Sequence, residues 1–181
     1  MKFAYAILIS LIMTSSAQAA KFSVTKSDQK SLMVSMRGEI NFVDPAKLQV
    51  IAGSNPFAKQ RLIYLDNVGG LVQPALETGL VVRSYRFTTV IAERAQCLSA
   101  CSMIFVAGRS ANGVYPSRIK FKGSRLGAHR PFYKETGHID PEVINQVRSY
   151  LNYMDAGPTF YKLTINTSPS TMRLIEDSDG K

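Results

Sequence analysis

The segment from Leu62 to His129 contains three short motifs: Asp66-Asn67-Val68-Gly69-Gly70, Cys97-Leu98-Ser99-Ala100-Cys101 and Gly127-Ala128-His129. The first ends an apolar run typical of a buried strand, and the others follow at intervals of about thirty residues. A glycine pair after a strand frees main-chain N–H groups to face a ligand, because no Cβ blocks close approach or a positive φ. This order of motifs predicts a serine acyl-transfer site in which one part is not yet assigned to a residue.

Each motif supplies one part of that chemistry. Amides at Gly69, Gly70 and Ala100 would hold an oxyanion, and Ser99 would be the nucleophile. Ser99 precedes the apolar run 103–107, which predicts that it lies in the first turn of a buried helix. His129 is one of only two histidines and is the candidate base. The plain alternative for Ser99 is an ordinary helix N-cap, where serine is favoured.

The motifs resemble the ClpP/crotonase superfamily over roughly residues 38 to 177. In that family a strand ending in Ser-Pro-Gly-Gly supplies the oxyanion hole, and Asn67-Val68-Gly69-Gly70 stands in its place without the Ser and Pro. The family nucleophile lies in Ala-Ser-Met-Gly-Ala, nine residues before a glycine, and Ser99 precedes Gly108 by nine. The family segment Ile-His-Gln-Pro is similar to Ala128-His129-Arg130-Pro131. The segment around Ser99 resembles small exported ClpP-like proteins most closely.

The resemblance also implies a third member of a Ser-His-Asp site. The family aspartate follows a Thr-Gly-Gln-Ser segment, which the stretch 167–170 resembles, and this spacing makes Asp177 the candidate. Glu176, Asp179 and Asp155 are alternatives. By the family's pattern the domain is short at its C-terminal end, because a further helix and strand that would support Asp177 are missing.

The first nineteen residues have the pattern of a secretory signal. Lys2 is followed by an apolar run from Phe3 to Met13 and by Ala17-Gln18-Ala19, which predicts cleavage after Ala19. The apolar run is too short for a membrane span, and no cysteine stands near the cleavage site to accept a lipid. We therefore expect a periplasmic or secreted protein in which residues 20–181 form a single ClpP-like domain.

The composition is strongly basic, with a formal net charge of +9 over 181 residues. Positive charge on an exported protein is compatible with anionic lipid surfaces, cell-wall polymers or acidic proteins, so contact with a membrane surface stays open. The densest basic cluster comprises Arg118, Lys120, Lys122 and Arg125. Basic and aromatic residues do not alternate as they do in single-strand binding platforms, and we expect no nucleic-acid partner.

Cys97 and Cys101 flank Ser99 in a compartment that permits disulfides. Four residues along a helix separate Cα atoms by about 6 Å, which is bridgeable, but a regular helix directs the two Cβ atoms poorly. A disulfide therefore requires Cys97 to lie outside the helix, and it would then brace the turn that presents Ser99. The alternative is two buried free thiols. Two sulfurs without a nearby histidine or third cysteine predict no metal site.

Alternating patterns along the chain predict an α/β fold of repeated strand-helix units around a largely parallel sheet. Strands are expected over 32–40, 60–66, 87–92 and 125–128, with a short strand within 113–122. Helices are expected from Asp44 as N-cap, after Gly70 with Pro74 in its first turn, and after Asp140-Pro141 up to Gly157-Pro158. A last short helix would end near Ile165.

Two functions are compatible with these motifs. The first is an exported serine hydrolase, most simply a peptidase, that acts on peptides or proteins without a cofactor. The second is an inactive binding or assembly module of the same fold, suggested by Val68 in the glycine motif and by the short C-terminal end. The superfamily's acyl-CoA chemistry is disfavoured because an exported protein meets little CoA. The resemblance also implies a homo-oligomer.

Overall fold

The computed structural model describes residues 19–175. Within that part of the chain, eight strands and five helices follow one another. The strands are β1 Lys21–Ser27, β2 Ser31–Ile40, β3 Gln60–Gly70, β4 Phe87–Ile91, β5 Gln96–Leu98, β6 Arg118–Lys120, β7 Arg125–Ala128 and β8 Arg173–Leu174. The helices are α1 Asp44–Gly53, α2 Val72–Ser84, α3 Cys101–Val106, α4 Pro141–Tyr153 and α5 Pro158–Asn166.

The sheet is parallel in its interior and antiparallel at two edges. Parallel pairs join β2 to β3, β3 to β4 and β5, β4 to β6, and β5 to β7. The first strand, β1, pairs antiparallel with β2, and the last, β8, pairs antiparallel with β7. The α/β fold with a largely parallel sheet is therefore confirmed.

The long strand β3 divides the sheet into two branches. Residues Arg61 to Tyr64 pair with β4, whereas Asn67 pairs with Cys97 of β5. Because β4 leaves β3 before Asn67, the second half of β3 is open to β5 and then to β7. Parallel strands end at the same edge of a sheet, so the segments that follow β3, β5 and β7 meet there. These segments carry the three motifs found in the sequence.

The core lies between the sheet and the helices. In β2, the side chains of Leu32, Val34 and Met36 are fully buried, as the alternating pattern predicts. Burial of each such side chain stabilises the fold by about 1.5–3 kcal/mol. All six residues of α3 are buried, and all of them except Ser102 are apolar, as expected for a helix enclosed in the core.

Helix α4 begins where the sequence predicts it. The Asp140 carboxylate accepts a hydrogen bond from the Glu142 amide at 2.8 Å, and Pro141 occupies the first helical position. The apolar spacing of this segment predicts one face formed by Val143, Val147, Tyr150, Leu151 and Met154, and Val147, Tyr150 and Leu151 are buried on it. Ile144 replaces the expected Val143 on that face, so the helix is rotated slightly from the predicted orientation.

Two details of the predicted helices are wrong. Asp44 is not the N-cap of α1, which is Val43. The Asp44 side chain is fully buried instead and accepts a hydrogen bond from the Asn41 amide at 2.9 Å, and burial raises the pKa of its carboxyl group. The spacing of apolar residues after Gly70 also predicts an apolar stripe that includes Leu71 and Leu80, but each of these side chains is 44% exposed.

The C-terminal end of α4 is held by three arginines. Arg83 donates to the Tyr153 carbonyl at 2.9 Å and Arg118 donates to the Asp155 carbonyl at 3.1 Å and to the Met154 carbonyl. Arg83 and Arg109 also form ion pairs with the Asp155 carboxylate, at 2.7 and 3.0 Å. Guanidinium groups satisfy carbonyls that a helix end leaves unpaired and complement its negative dipole.

Arg118, from the densest basic cluster of the sequence, is thus partly buried and bound to main-chain carbonyls at this helix end. Burial lowers the pKa of its guanidinium to about 10, and the neighbouring Arg83 acts in the same direction. None of the helices within residues 19–175 has the length and apolar character that a membrane crossing requires.

Candidate active site

Ser99 lies in a sharp turn between β5 and α3. Its φ is +53°, in the left-handed region that a residue with a side chain adopts only at a cost. The Ser99 amide donates to the Gly127 carbonyl at 2.9 Å, and the Ser99 carbonyl accepts from the amide and hydroxyl of Ser102 at 3.0 and 2.6 Å. The main chain of Ser99 is thus fixed on both sides.

The Ser99 hydroxyl is left unpaired by the part of the chain that the structure describes, since no group of residues 19–175 forms a hydrogen bond with Oγ. The helix begins at Cys101 with Ala100 as N-cap, so Ser99 precedes the first turn in which the sequence placed it. Ser99 is therefore not an N-cap, which removes the plain structural reason for a serine at this position.

The glycine pair packs directly against this turn. Gly69 has a φ of +107°, and a Cβ at this position would lie 2.7 Å from the Ser99 Cβ. Gly70 has a φ of +142°, and its Cβ would collide with the main chain of Ile40. Only glycine fits at both positions, for reasons of conformation and of space.

The predicted oxyanion donors differ in their availability. The Gly69 amide already donates to the Asn67 side-chain oxygen at 2.8 Å. The Ala100 amide has no hydrogen-bond partner within residues 19–175. Sequence reasoning missed the Asn67 contact, although an asparagine two residues before a glycine is a common signal for such a turn.

His129 follows β7 directly, just as Ser99 follows β5. These two strands are parallel neighbours with Leu98 opposite Gly127, so both residues emerge at the same edge of the sheet. Within residues 19–175 no hydrogen bond joins the two side chains. The His129 Nδ1 atom lies 2.9 Å from the Arg130 carbonyl oxygen, and the ring packs against Phe132 with a centroid distance of 5.5 Å.

Cys97 and Cys101 form a disulfide that encloses Ser99. Cys97 lies in β5 and Cys101 is the first residue of α3, and their Cα atoms are 5.1 Å apart. Both side chains are fully buried. The bridge therefore ties the end of the strand to the start of the helix across the strained turn.

The predicted third member, Asp177, lies outside the described residues, as do Glu176 and Asp179. The last described segment runs away from His129: β8 pairs Arg173 with Ala128, and the Ile175 amide then donates to the Leu126 carbonyl at 2.8 Å. The remaining alternative, Asp155, is paired with two arginines at the end of α4.

Residues 19–175 contain no group of three or more His, Cys, Asp or Glu side chains that could hold a metal ion. An unpaired hydroxyl in a fixed turn and an imidazole at the same edge of the sheet are groups of the kind that acyl transfer uses.

Solved structures with the same architecture identify the fold. One is 1510-N, a membrane-bound stomatin-specific protease in a lysine-to-alanine mutant bound to a substrate peptide, with a TM-score of 0.57 and 17% identity over 83% of this chain and 70% of that one. The fold is ClpP-like. A serine-to-alanine mutant of the same protease gives a TM-score of 0.56 and 16% identity over 82% of this chain and 74% of that one. Neither the family models nor the curated proteins contain a match to this sequence.

Proposed function

We propose that this protein is an exported serine hydrolase that cleaves peptides, with Ser99 as nucleophile and His129 as general base. The observation that carries the proposal is the positive φ of Ser99 in a strand-to-helix turn, combined with an unpaired hydroxyl. Strained turns of this kind present the nucleophile in other hydrolases. The fixed main chain on both sides of Ser99 would keep the hydroxyl in place during the reaction.

In the proposed reaction, His129 accepts the Ser99 proton while Oγ attacks the carbonyl carbon of the substrate. The carbonyl electrons move to oxygen, and the Ala100 and Gly70 amides stabilise the oxyanion. Collapse of the tetrahedral intermediate expels the amine, which takes the proton from His129. Water then attacks the acyl-enzyme with His129 again as base and restores Ser99.

The peptide class of substrate is supported by the neighbouring fold, because both similar structures are of a protease and one holds a substrate peptide. Export and cleavage after Ala19 remain part of the proposal, as does assembly into a homo-oligomer. N-terminal sequencing of the periplasmic protein should give Ala20 as the first residue, and light scattering should give a mass above that of one chain.

Fluorophosphonate labelling tests the activity. The wild-type protein should form a single adduct at Ser99, and Ser99→Ala and His129→Ala should form none. His138→Gln is the matched control, since His138 is the second histidine and lies in an exposed loop. Equal labelling of wild type and Ser99→Ala would refute the proposal. Labelling that survives in His129→Ala would assign the proton acceptor to another group.

A second candidate is a binding module without catalysis. It is favoured by the paired Gly69 amide and by the exposed Val68 beside it, where the family has proline. A folded wild-type protein that shows no adduct, yet retains a peptide on an affinity column, would support this alternative.

A further inference from the structure

The orientation of His129 is set by its own main chain. Nδ1 lies 2.9 Å from the Arg130 carbonyl oxygen. A carbonyl oxygen can only accept a hydrogen bond, so Nδ1 must carry the proton in the neutral ring. Nε2 then keeps its lone pair, and within residues 19–175 it has no hydrogen-bond partner. This is the tautomer that a general base for a serine requires.

The Arg130 carbonyl is itself held in place. The Arg130 amide donates to the Thr167 carbonyl at 3.0 Å, which ties this segment to the end of α5. The next residue is the buried Pro131, and a residue before proline is restricted to extended conformations. The Phe132 ring packs against the imidazole. The carbonyl and the ring are therefore both fixed by packing.

No carboxylate of the described chain competes for this position. Asp155 binds Arg83 and Arg109 at the end of α4. The direction of β8 leads toward Leu126 and thus away from His129, which follows Ala128. The role that an aspartate has in a Ser-His-Asp site is already filled here by a neutral acceptor.

We propose that the Arg130 main-chain carbonyl is the positioning group that holds His129 in the Nδ1–H tautomer, in the place that the carboxylate has in a Ser-His-Asp site. The consequence of this assignment for catalysis rests on the proposed hydrolase function. A neutral carbonyl fixes the tautomer as a carboxylate does, but it stabilises the imidazolium less.

The tautomer can be read without any activity. We would label histidine with nitrogen-15 in the His138→Gln variant, which leaves His129 as the single histidine, and record ring nitrogen–proton couplings at a pH of about 9, where imidazole is neutral. The expected pattern is a proton on Nδ1. A proton on Nε2 would overturn the proposal. A folded protein that shows the Nδ1–H pattern but no adduct would refute the hydrolase and leave this assignment standing.

Labelling kinetics test the catalytic consequence. Asp177→Asn and Asp177→Ala should change the fluorophosphonate labelling rate by no more than about twofold, whereas the aspartate of a true triad contributes on the order of 10⁴. A loss of about a hundredfold or more in both variants would overturn the proposal. Pro131→Ala, which frees the Arg130 carbonyl, should lower both the Nδ1–H population and the labelling rate. Arg130→Ala keeps the carbonyl and should leave the tautomer unchanged.

Discussion

Ser99 and Asp155 share one unusual backbone conformation but lie in very different surroundings. Their φ values are +53° and +54°. Asp155 follows the last turn of α4, where its amide and that of Ala156 close back onto the Asn152 and Leu151 carbonyls, both at 3.1 Å. This is the hydrogen-bond pattern in which helices commonly end with a left-handed residue. The conformation of Asp155 therefore has a complete structural explanation.

Ser99 has no such explanation, because it precedes a helix rather than following one. The Asp155 carboxylate is held by two ion pairs, whereas the Ser99 hydroxyl has no partner within residues 19–175. A left-handed residue with a side chain costs about 1–2 kcal/mol. A strained conformation therefore points to function only where the local fold does not account for it.

The largest effect is expected from Gly69→Ala, which pushes a methyl group into the Ser99 turn. The new Cβ would lie 2.7 Å from the Ser99 Cβ and 2.9 Å from the Leu98 carbonyl oxygen. We expect the free energy of unfolding to fall by about 3 kcal/mol or more and labelling to disappear. Denaturant unfolding and fluorophosphonate labelling measure the two effects.

Gly123→Ala is the matched control for that substitution. Gly123 also has a positive φ, but nothing lies within 4 Å of its Cβ position. This variant should lose only the conformational cost of about 1–2 kcal/mol and keep its labelling. If both variants lost the same stability and the same labelling, the contact between Gly69 and Ser99 would have no special importance.

Removal of the disulfide should affect the turn at Ser99 and leave the turn at Asp155 unchanged. In Cys97→Ala/Cys101→Ala, loss of the short covalent loop should cost about 2 kcal/mol of stability. We expect labelling to slow by about tenfold to a hundredfold, because Ser99 is no longer held at a fixed distance from α3. Hydrogen exchange should accelerate at Ser99 and stay unchanged at Ala156. Acceleration at both amides would mean a global effect.

Glycine substitutions compare the two strained residues directly. Ser99→Gly relieves the positive φ and should raise the free energy of unfolding by up to about 1 kcal/mol, although the proposed nucleophile is lost. Asp155→Gly gains the same relief but loses the ion pairs, so we expect its free energy of unfolding to stay close to that of the wild type. Thermal unfolding measures both. A Ser99→Gly protein less stable than Ser99→Ala would show that the backbone of Ser99 is not strained.

The smallest expected effect is the loss of stability on removing the Asp155 charge at the end of α4. The hydrogen bond from Arg83 lowers the pKa of the Asp155 carboxyl group in the folded protein. A lowered pKa means that this stabilisation is present at neutral pH and is lost as the pH falls below about 4. Asp155→Asn should therefore be less stable than wild type at pH 7, by less than about 1 kcal/mol because the side chain is exposed.

The difference in stability between these two proteins should shrink as the pH is lowered from 7 to about 2, because the Asp155 carboxylate then takes up a proton. Unfolding curves at the two pH values give this comparison, with labelling at pH 7 as the functional control. A difference in stability that stays constant across the pH range would show that the ion pairs with Arg83 and Arg109 do not contribute.

Local signals account for the parts of the fold that the sequence predicts well. Asp140 and Pro141 start α4 through short-range contacts, and the run 125–128 forms β7 with the bounds expected. The edge strand β1 had no signal, because most of its side chains are exposed and the apolar alternation of a half-buried strand is missing. Asp44 was misplaced because a buried contact with Asn41 overrides its preference for an N-cap position.

In the candidate site, too, the sequence predicts some features and not others. Gly69, Ser99 and His129 were predicted as site residues from their types and spacing, which depend on the sequence alone. The φ of Ser99 and the contact between His129 and the Arg130 carbonyl depend on how β5 and β7 lie side by side, and no pattern in one sequence encodes them. The assignment of Asp177 rests on the residue types and spacing of the family, and it stays a prediction because Asp177 lies outside the described residues.

The start of the described chain bears on the proposed cleavage after Ala19. Ala19 forms a bridge with Glu39, and the Ala20 amide donates to the Glu39 carbonyl at 2.8 Å while its side chain is buried. A peptide bond in this position is closed to a processing enzyme once β2 has formed. The proposed cleavage between Ala19 and Ala20 would then have to come before folding, and a domain that folded first would be expected to resist it.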